Sequence, residues 1–95
     1  MRVIEAAGIT GAVKRLFIEA NRNLPPDVQG CLRKAAAEEP WEPARDVLEK
    51  IEANFVYATE KKVPICQDTG MACVFIEIGR DLRIEGDIYA AVDEG

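Results

Sequence analysis

Histidine is absent from these 95 residues. Its absence removes Ser–His and Cys–His nucleophile pairs from within the chain, and any His-ligated metal site with them. Cysteine is sparse and odd in number: Cys31, Cys66 and Cys73. In a reducing compartment such a set reads as buried thiols or metal ligands rather than disulfides. Long hydrophobic runs are missing as well. No stretch approaches the roughly 20 apolar residues that span a bilayer. Arg2, Glu5 and Lys14 interrupt any signal-peptide pattern at the amino terminus. The expectation is a cytoplasmic protein with no membrane partner. Clustered positive charge is lacking too. The net charge is −5, and Lys61-Lys62 is the nearest thing to a basic patch. That argues against nucleic acid as a partner, because reading a phosphate backbone needs grouped Lys and Arg. It leaves small anionic substrates open, since single arginines can line a site.

What is present is ordinary globular composition: 48% hydrophobic and 31% charged residues exclude a disordered chain. The length suits one domain or part of one, and a chain of this size hides only about 60–65% of its unfolded surface. The expectation is a single domain over residues 1–95, helical over 1–62, with a loop and β part over 63–86 and the start of a further helix over 87–95.

Three helical patterns carry that expectation. Residues 10–23 place Val13, Leu16, Phe17 and Ala20 on one face, with Thr10 as N-cap. Leu24-Pro25-Pro26 stops this helix, and Pro26 suits the first turn of the next. Val28, Cys31, Leu32 and Ala35 give the second helix an apolar face to about residue 38, where Glu39-Pro40 ends it. The third begins near Glu42-Pro43, with Ala44, Val47, Leu48, Ile51, Phe55 and Ala58 as a buried stripe. Its other face carries Arg45, Glu49, Lys50 and Glu52, with an Arg45–Glu49 pair within reach. Core packing explains all three stripes without a cofactor.

After Lys62 the pattern changes. Pro64 makes Val63-Pro64-Ile65 extended, and Asp68-Thr69-Gly70 is turn chemistry. Ala72 to Ile78 is apolar on both faces, the mark of a buried strand, which makes Cys73 a core residue. Gly79-Arg80-Asp81 turns the chain into a second short strand, Leu82 to Ile84. Asp87 caps a last helix with Ile88, Ala91 and Val92 on one side. The fold class is α+β: a layer of about three helices, then a small sheet, then the start of a helix.

The residues that carry chemistry are Cys66-Gln67-Asp68-Thr69-Gly70, on the loop between helix and strand. A thiolate suits a soft iron–sulfur site, and a neighbouring amide and carboxylate suit a substrate held against it. From these residues alone a buried Cys66 beside a turn explains the pattern equally well. Cys31 reads as a small hydrophobe on the second helix. Asp68-Thr69-Gly70 is also the catalytic triplet of homodimeric aspartic proteases, but those are almost entirely β, their triplet follows apolar residues, and Gln67 and Met71 flank this one. A non-catalytic assembly module is a third reading.

The stretch Pro64-Ile65-Cys66-Gln67-Asp68-Thr69-Gly70-Met71-Ala72, followed by Ile76-Glu77-Ile78-Gly79, resembles the α-type sequence of class I fumarases and tartrate dehydratases. The resemblance continues through Asp81, Ile84, Gly86 and the helix from Asp87. It runs back through Phe17 to Asn21, Leu24 to Val28, and the third helix with Asn54. It implies the N-terminal part of an iron–sulfur hydro-lyase that interconverts fumarate and L-malate. In that family a [4Fe–4S] cluster is held by three cysteines and binds the dicarboxylate at its open iron. Carried over residue by residue, Cys66 is one cluster ligand, Gln67 and Asp68 bind substrate, and Asp68 is the catalytic candidate. Thr69 and Gly70 shape the turn. The further cluster cysteines of the family come later than residue 95, and Cys31 and Cys73 do not match them. The implied partners are the remainder of the α subunit and a β subunit or C-terminal domain. Alone, the chain is expected neither to hold a stable cluster nor to catalyse hydration. The residues after the motif favour fumarate, with tartrate dehydratase as the alternative.

Overall fold

A computed structural model describes residues 1–95. The order is β1 (Arg2–Glu5), α1 (Ala6–Arg22), α2 (Pro26–Glu38), α3 (Glu42–Lys61), a single 3-10 turn (Gln67–Gly70), β2 (Leu82–Glu85) and α4 (Ile88–Glu94). The α+β class and its three leading helices stand. The chain divides into two compact units, one of Met1–Ile18 with Met71–Gly95 and one of Glu19–Gly70. It passes between them within α1 and again after Gly70.

The first unit is built on a two-stranded parallel ladder with Arg2 opposite Leu82 and Ile4 opposite Ile84. Side chains alternate across a strand, so Ile4, Leu82 and Ile84 share the covered face while Arg83 and Glu85 face water. β1 lies outside the sequence expectation: four residues with Arg and Glu at their ends give too short a pattern to register. It runs without a linker into α1, which therefore begins at Ala6 and not at Thr10. Gly8 and Gly11 weaken the helical pattern of that first stretch, which hid its true start. Thr10 is not an N-cap. Its hydroxyl donates to the Ala91 carbonyl at 2.8 Å, joining α1 to α4. Asp87 does cap α4, accepting from the Ala90 amide at 3.2 Å. Between β2 and α4, Gly86 has φ +110 and a Cβ there would meet the Ala6 Cβ at 2.7 Å. Glycine is required on both counts.

The run expected as a buried strand is the largest departure. Met71 to Gly79 belongs to no ladder, and Met71 to Ile78 makes no hydrogen bond. Val74, Ile76 and Ile78 are exposed, and Phe75 is 94% exposed. Leaving that phenyl in water forgoes about 1.5–3 kcal/mol of burial. Cys73 is exposed as well, so it is not a core residue. The residues have the composition of a covered strand, but a strand is defined by its neighbours, and this chain places none beside it.

The second unit packs α2 against α3 around Ala36, Phe55 and Ala58, the last two only 2% and 1% exposed. Both prolines act as their positions dictate. α2 opens at Pro26, with Pro25 at ψ 147 before it, and α3 carries Pro43 in its first turn. α3 ends at Lys62, whose left-handed φ of 55 lets the Val63 amide reach back to the Ala58 carbonyl at 3.1 Å. The stripes are narrower than the sequence implies. On α2, Leu32 is half-buried and Ala36 buried, while Val28, Cys31 and Ala35 are exposed. On α3, Val47 and Ile51 are exposed, and on α1 so are Leu16 and Ala20. Two packed helices cover only the residues between them, and the sequence periodicity marks a wider face than one neighbour can bury. The ion pair of this unit is not Arg45–Glu49. Arg33 of α2 meets Glu52 of α3 at 2.8 Å and lies over the Phe55 ring at 5.3 Å from its centre.

Candidate functional site

The loop that carries Cys66 follows α3 and is held against the end of α1. A helix leaves its last carbonyls without intrahelical partners, and here the neighbouring chain satisfies two of them. The Thr59 hydroxyl of α3 donates to the Arg22 carbonyl at 3.0 Å, and the Ile65 amide donates to the Asn21 carbonyl at 2.8 Å. The carbonyl of Ile65 is held in turn: the Asn54 Nδ2 of α3 donates to it at 2.8 Å. Both backbone groups of the residue before Cys66 are thus fixed to helices. Within the loop the Thr69 hydroxyl donates to the Cys66 carbonyl at 2.9 Å, closing the turn that continues as Gln67–Gly70.

The outcome is an exposed but pinned loop. Cys66, Gln67 and Asp68 are exposed on successive residues, and the side chains of Gln67 and Asp68 make no hydrogen bond within the chain. Their polar ends are free for a ligand, while the backbone beneath them is fixed by groups on α1, α3 and the loop itself. This is the arrangement in which a rigid scaffold presents functional groups on a connection. Thr69 has the turn-shaping part expected of it. Asn54 entered the sequence reading only as part of the family resemblance, with no role assigned to it. An Asn on the outer side of a helical stripe carries no signal of its own, and its partner is a backbone carbonyl 11 residues on.

The three cysteines are exposed and unpaired. No three His, Cys, Asp or Glu side chains lie together as a metal group. A [4Fe–4S] cluster needs several thiolates, so the donors of this chain fit one ligand position and not the whole set. The aspartic-protease reading lacks its fold, because the chain's ladder is one parallel pair of four-residue strands. No helix is long and apolar enough to cross a membrane.

Residues 10–95 match the family described as fumarate hydratase (Fumerase). A putative L(+)-tartrate dehydratase subunit alpha from Methanocaldococcus jannaschii is 37% identical over 86 residues, covering 90% of this chain and 30% of the relative. The chain therefore spans about 30% of the length of that relative. No solved structure matches. With the match running through both units and across the whole Cys66–Gly70 loop, the chain belongs to the fumarate hydratase family.

Proposed function

We propose that this chain supplies part of a hydro-lyase that interconverts fumarate and L-malate, with Cys66 as one ligand of an iron–sulfur cluster. The observation that supports it is the family match across an exposed loop whose backbone is held on both sides of Ile65. When bound, the cluster would supply a Lewis-acidic iron with an open position for the substrate. The residues of this chain do the rest of its part. The pinned backbone fixes the direction in which the Cys66 thiolate is offered. Gln67 can donate through its amide to a substrate carboxylate, a task suited to a neutral donor beside an anion. Asp68, exposed and without a partner in the chain, can orient the substrate hydroxyl or handle a proton, taking the one lost from carbon or giving one to the hydroxyl that leaves as water. The remaining cluster thiolates come from the rest of an α-type subunit, outside this chain, and the remaining active-site groups from there and from a β subunit or C-terminal domain. The isolated chain is inactive on this reading.

A second reading is supported by a specific observation. The 37% identical relative carries the name of a tartrate dehydratase subunit, and L(+)-tartrate is a dicarboxylate that would use the same groups. The test is an enzyme assembled from this chain and its completing polypeptides, purified without oxygen. Its rates on fumarate, L-malate and L(+)-tartrate would be measured with Asp68 and with Asp68→Asn. The proposal expects turnover of fumarate and L-malate, and a loss of about 100-fold or more in the variant, as removal of a general acid or base gives. Turnover of tartrate alone replaces the substrate. Full activity of Asp68→Asn overturns its role.

A further inference from the structure

The run Met71–Ile78 follows the pinned loop directly, and the chain covers only one face of it in part, leaving Phe75 on the other in water. Val74, Ile76 and Ile78 line one apolar groove of about 340 Å³ with Ile88, Tyr89 and Val92. A spacing of two along the chain puts successive members on one face, as in a strand. The other face carries Cys73, Phe75 and Glu77, all exposed. The backbone of the run makes no hydrogen bond. The segment has the side-chain alternation and the free donors and acceptors of a β-strand, and lacks only the neighbour.

The sheet in the same unit is incomplete in the same sense. It has two strands of four residues, paired in parallel. Parallel sheets are found covered on both faces, and a pair of short strands does not stand alone in water. Val3 on β1 is half-exposed. A polypeptide strand meets the demand of the run's open backbone; a small molecule could fill the groove and would leave the backbone groups unpaired.

We propose that Ala72–Ile78 is a β-addition site, completed by an extended apolar strand from the part of an α-type subunit that this chain does not contain. The relative supplies the reason for choosing this occupant. The chain covers 30% of that subunit, so most of the subunit's length is polypeptide with no counterpart here. The strand adds main-chain hydrogen bonds along Ala72–Ile78, and its side chains cover Phe75. The inference rests on family membership and not on the role of Cys66. Its test reads binding and not turnover, so the two fail separately.

The experiment co-expresses this chain with the unmatched remainder of the M. jannaschii subunit as a second polypeptide. Amide hydrogen exchange is then compared in the chain alone and in the complex. Alone, the amides of residues 72–78 should exchange as in an open peptide. In the complex, alternate amides there should be protected. Phe75→Glu changes a side chain that packs on nothing in the chain alone. It should leave the circular dichroism unchanged and weaken the complex about tenfold or more, as loss of a buried aromatic anchor does. A complex with 72–78 unprotected, no complex at all, or full affinity in Phe75→Glu overturns the proposal. So does a dimer of the chain alone with those amides protected, which would make a second copy the occupant.

Discussion

Residues 63–70 and 71–78 are neighbours in sequence, and both are largely exposed, yet they are held in opposite ways. In the first, the Ile65 amide donates to the Asn21 carbonyl, Asn54 donates to the Ile65 carbonyl and Thr69 donates to the Cys66 carbonyl, at 2.8–2.9 Å. The second carries no hydrogen bond. The far end of the first, Gln67-Asp68-Thr69, is polar, and the second is apolar but for Glu77. Exposure alone therefore does not separate a functional surface from an unfinished one. What separates them is whether the backbone has partners. On the proposed reading, a polar loop that faces water with a fixed backbone binds something small. An apolar run with an open backbone is prepared to be covered by more chain.

This contrast can be broken from either side. The largest effect should come from the packing that holds the pinned loop's helices. Phe55→Ala empties the centre of the second unit and should cost about 3–5 kcal/mol, read as a lower denaturant midpoint, with the Ile65 amide losing its protection. A substitution in the first unit should cost less. Gly86→Ala forces a side chain into a left-handed backbone against Ala6, at about 1–3 kcal/mol, seen as earlier thermal loss of the β1–β2 ladder. Asn54→Ala sharpens the comparison most closely, because it removes one pin and leaves the core intact. It should cost about 0.5–1.5 kcal/mol and speed exchange at Ile65 while leaving residues 72–78 unchanged. The smallest effect belongs to Glu52→Gln. The Arg33–Glu52 pair is partly exposed, so its loss should cost about 0.2–1 kcal/mol and shrink further in high salt.

Much of this was legible in the sequence. Pro25, Pro26 and Pro43 set helix boundaries that the structure keeps, because proline acts on its own backbone and that of its neighbour. Asp87 is the cap it looked like. The Cys66–Gly70 turn and its family were readable from consecutive residues. What was not legible depends on partners distant in sequence. Thr10 resembles an N-cap until Ala91 is beside it. Asn54 is an ordinary surface residue until Ile65 is beneath it. Val28, Cys31, Val47 and Ile51 have the periodicity of a core, and so does the run Ala72–Ile78 that contains Cys73. Periodicity reports which face would be buried given a neighbour, not whether this chain provides one. The helical stripes and the strand run are expected to be buried, which demands a neighbour for each face. The second unit meets that demand around Phe55, and the run after Gly70 does not.

The most direct test of the account addresses Cys66. Iron and acid-labile sulfide would be measured in the assembled enzyme, purified without oxygen, with Cys66→Ser compared against Cys31→Ser and Cys73→Ser. The account predicts that Cys66→Ser alone loses iron and sulfide, with hydration activity falling alongside. If Cys66→Ser keeps its iron and sulfide, or all three variants behave alike, the loop is not a cluster ligand and the central assignment is wrong.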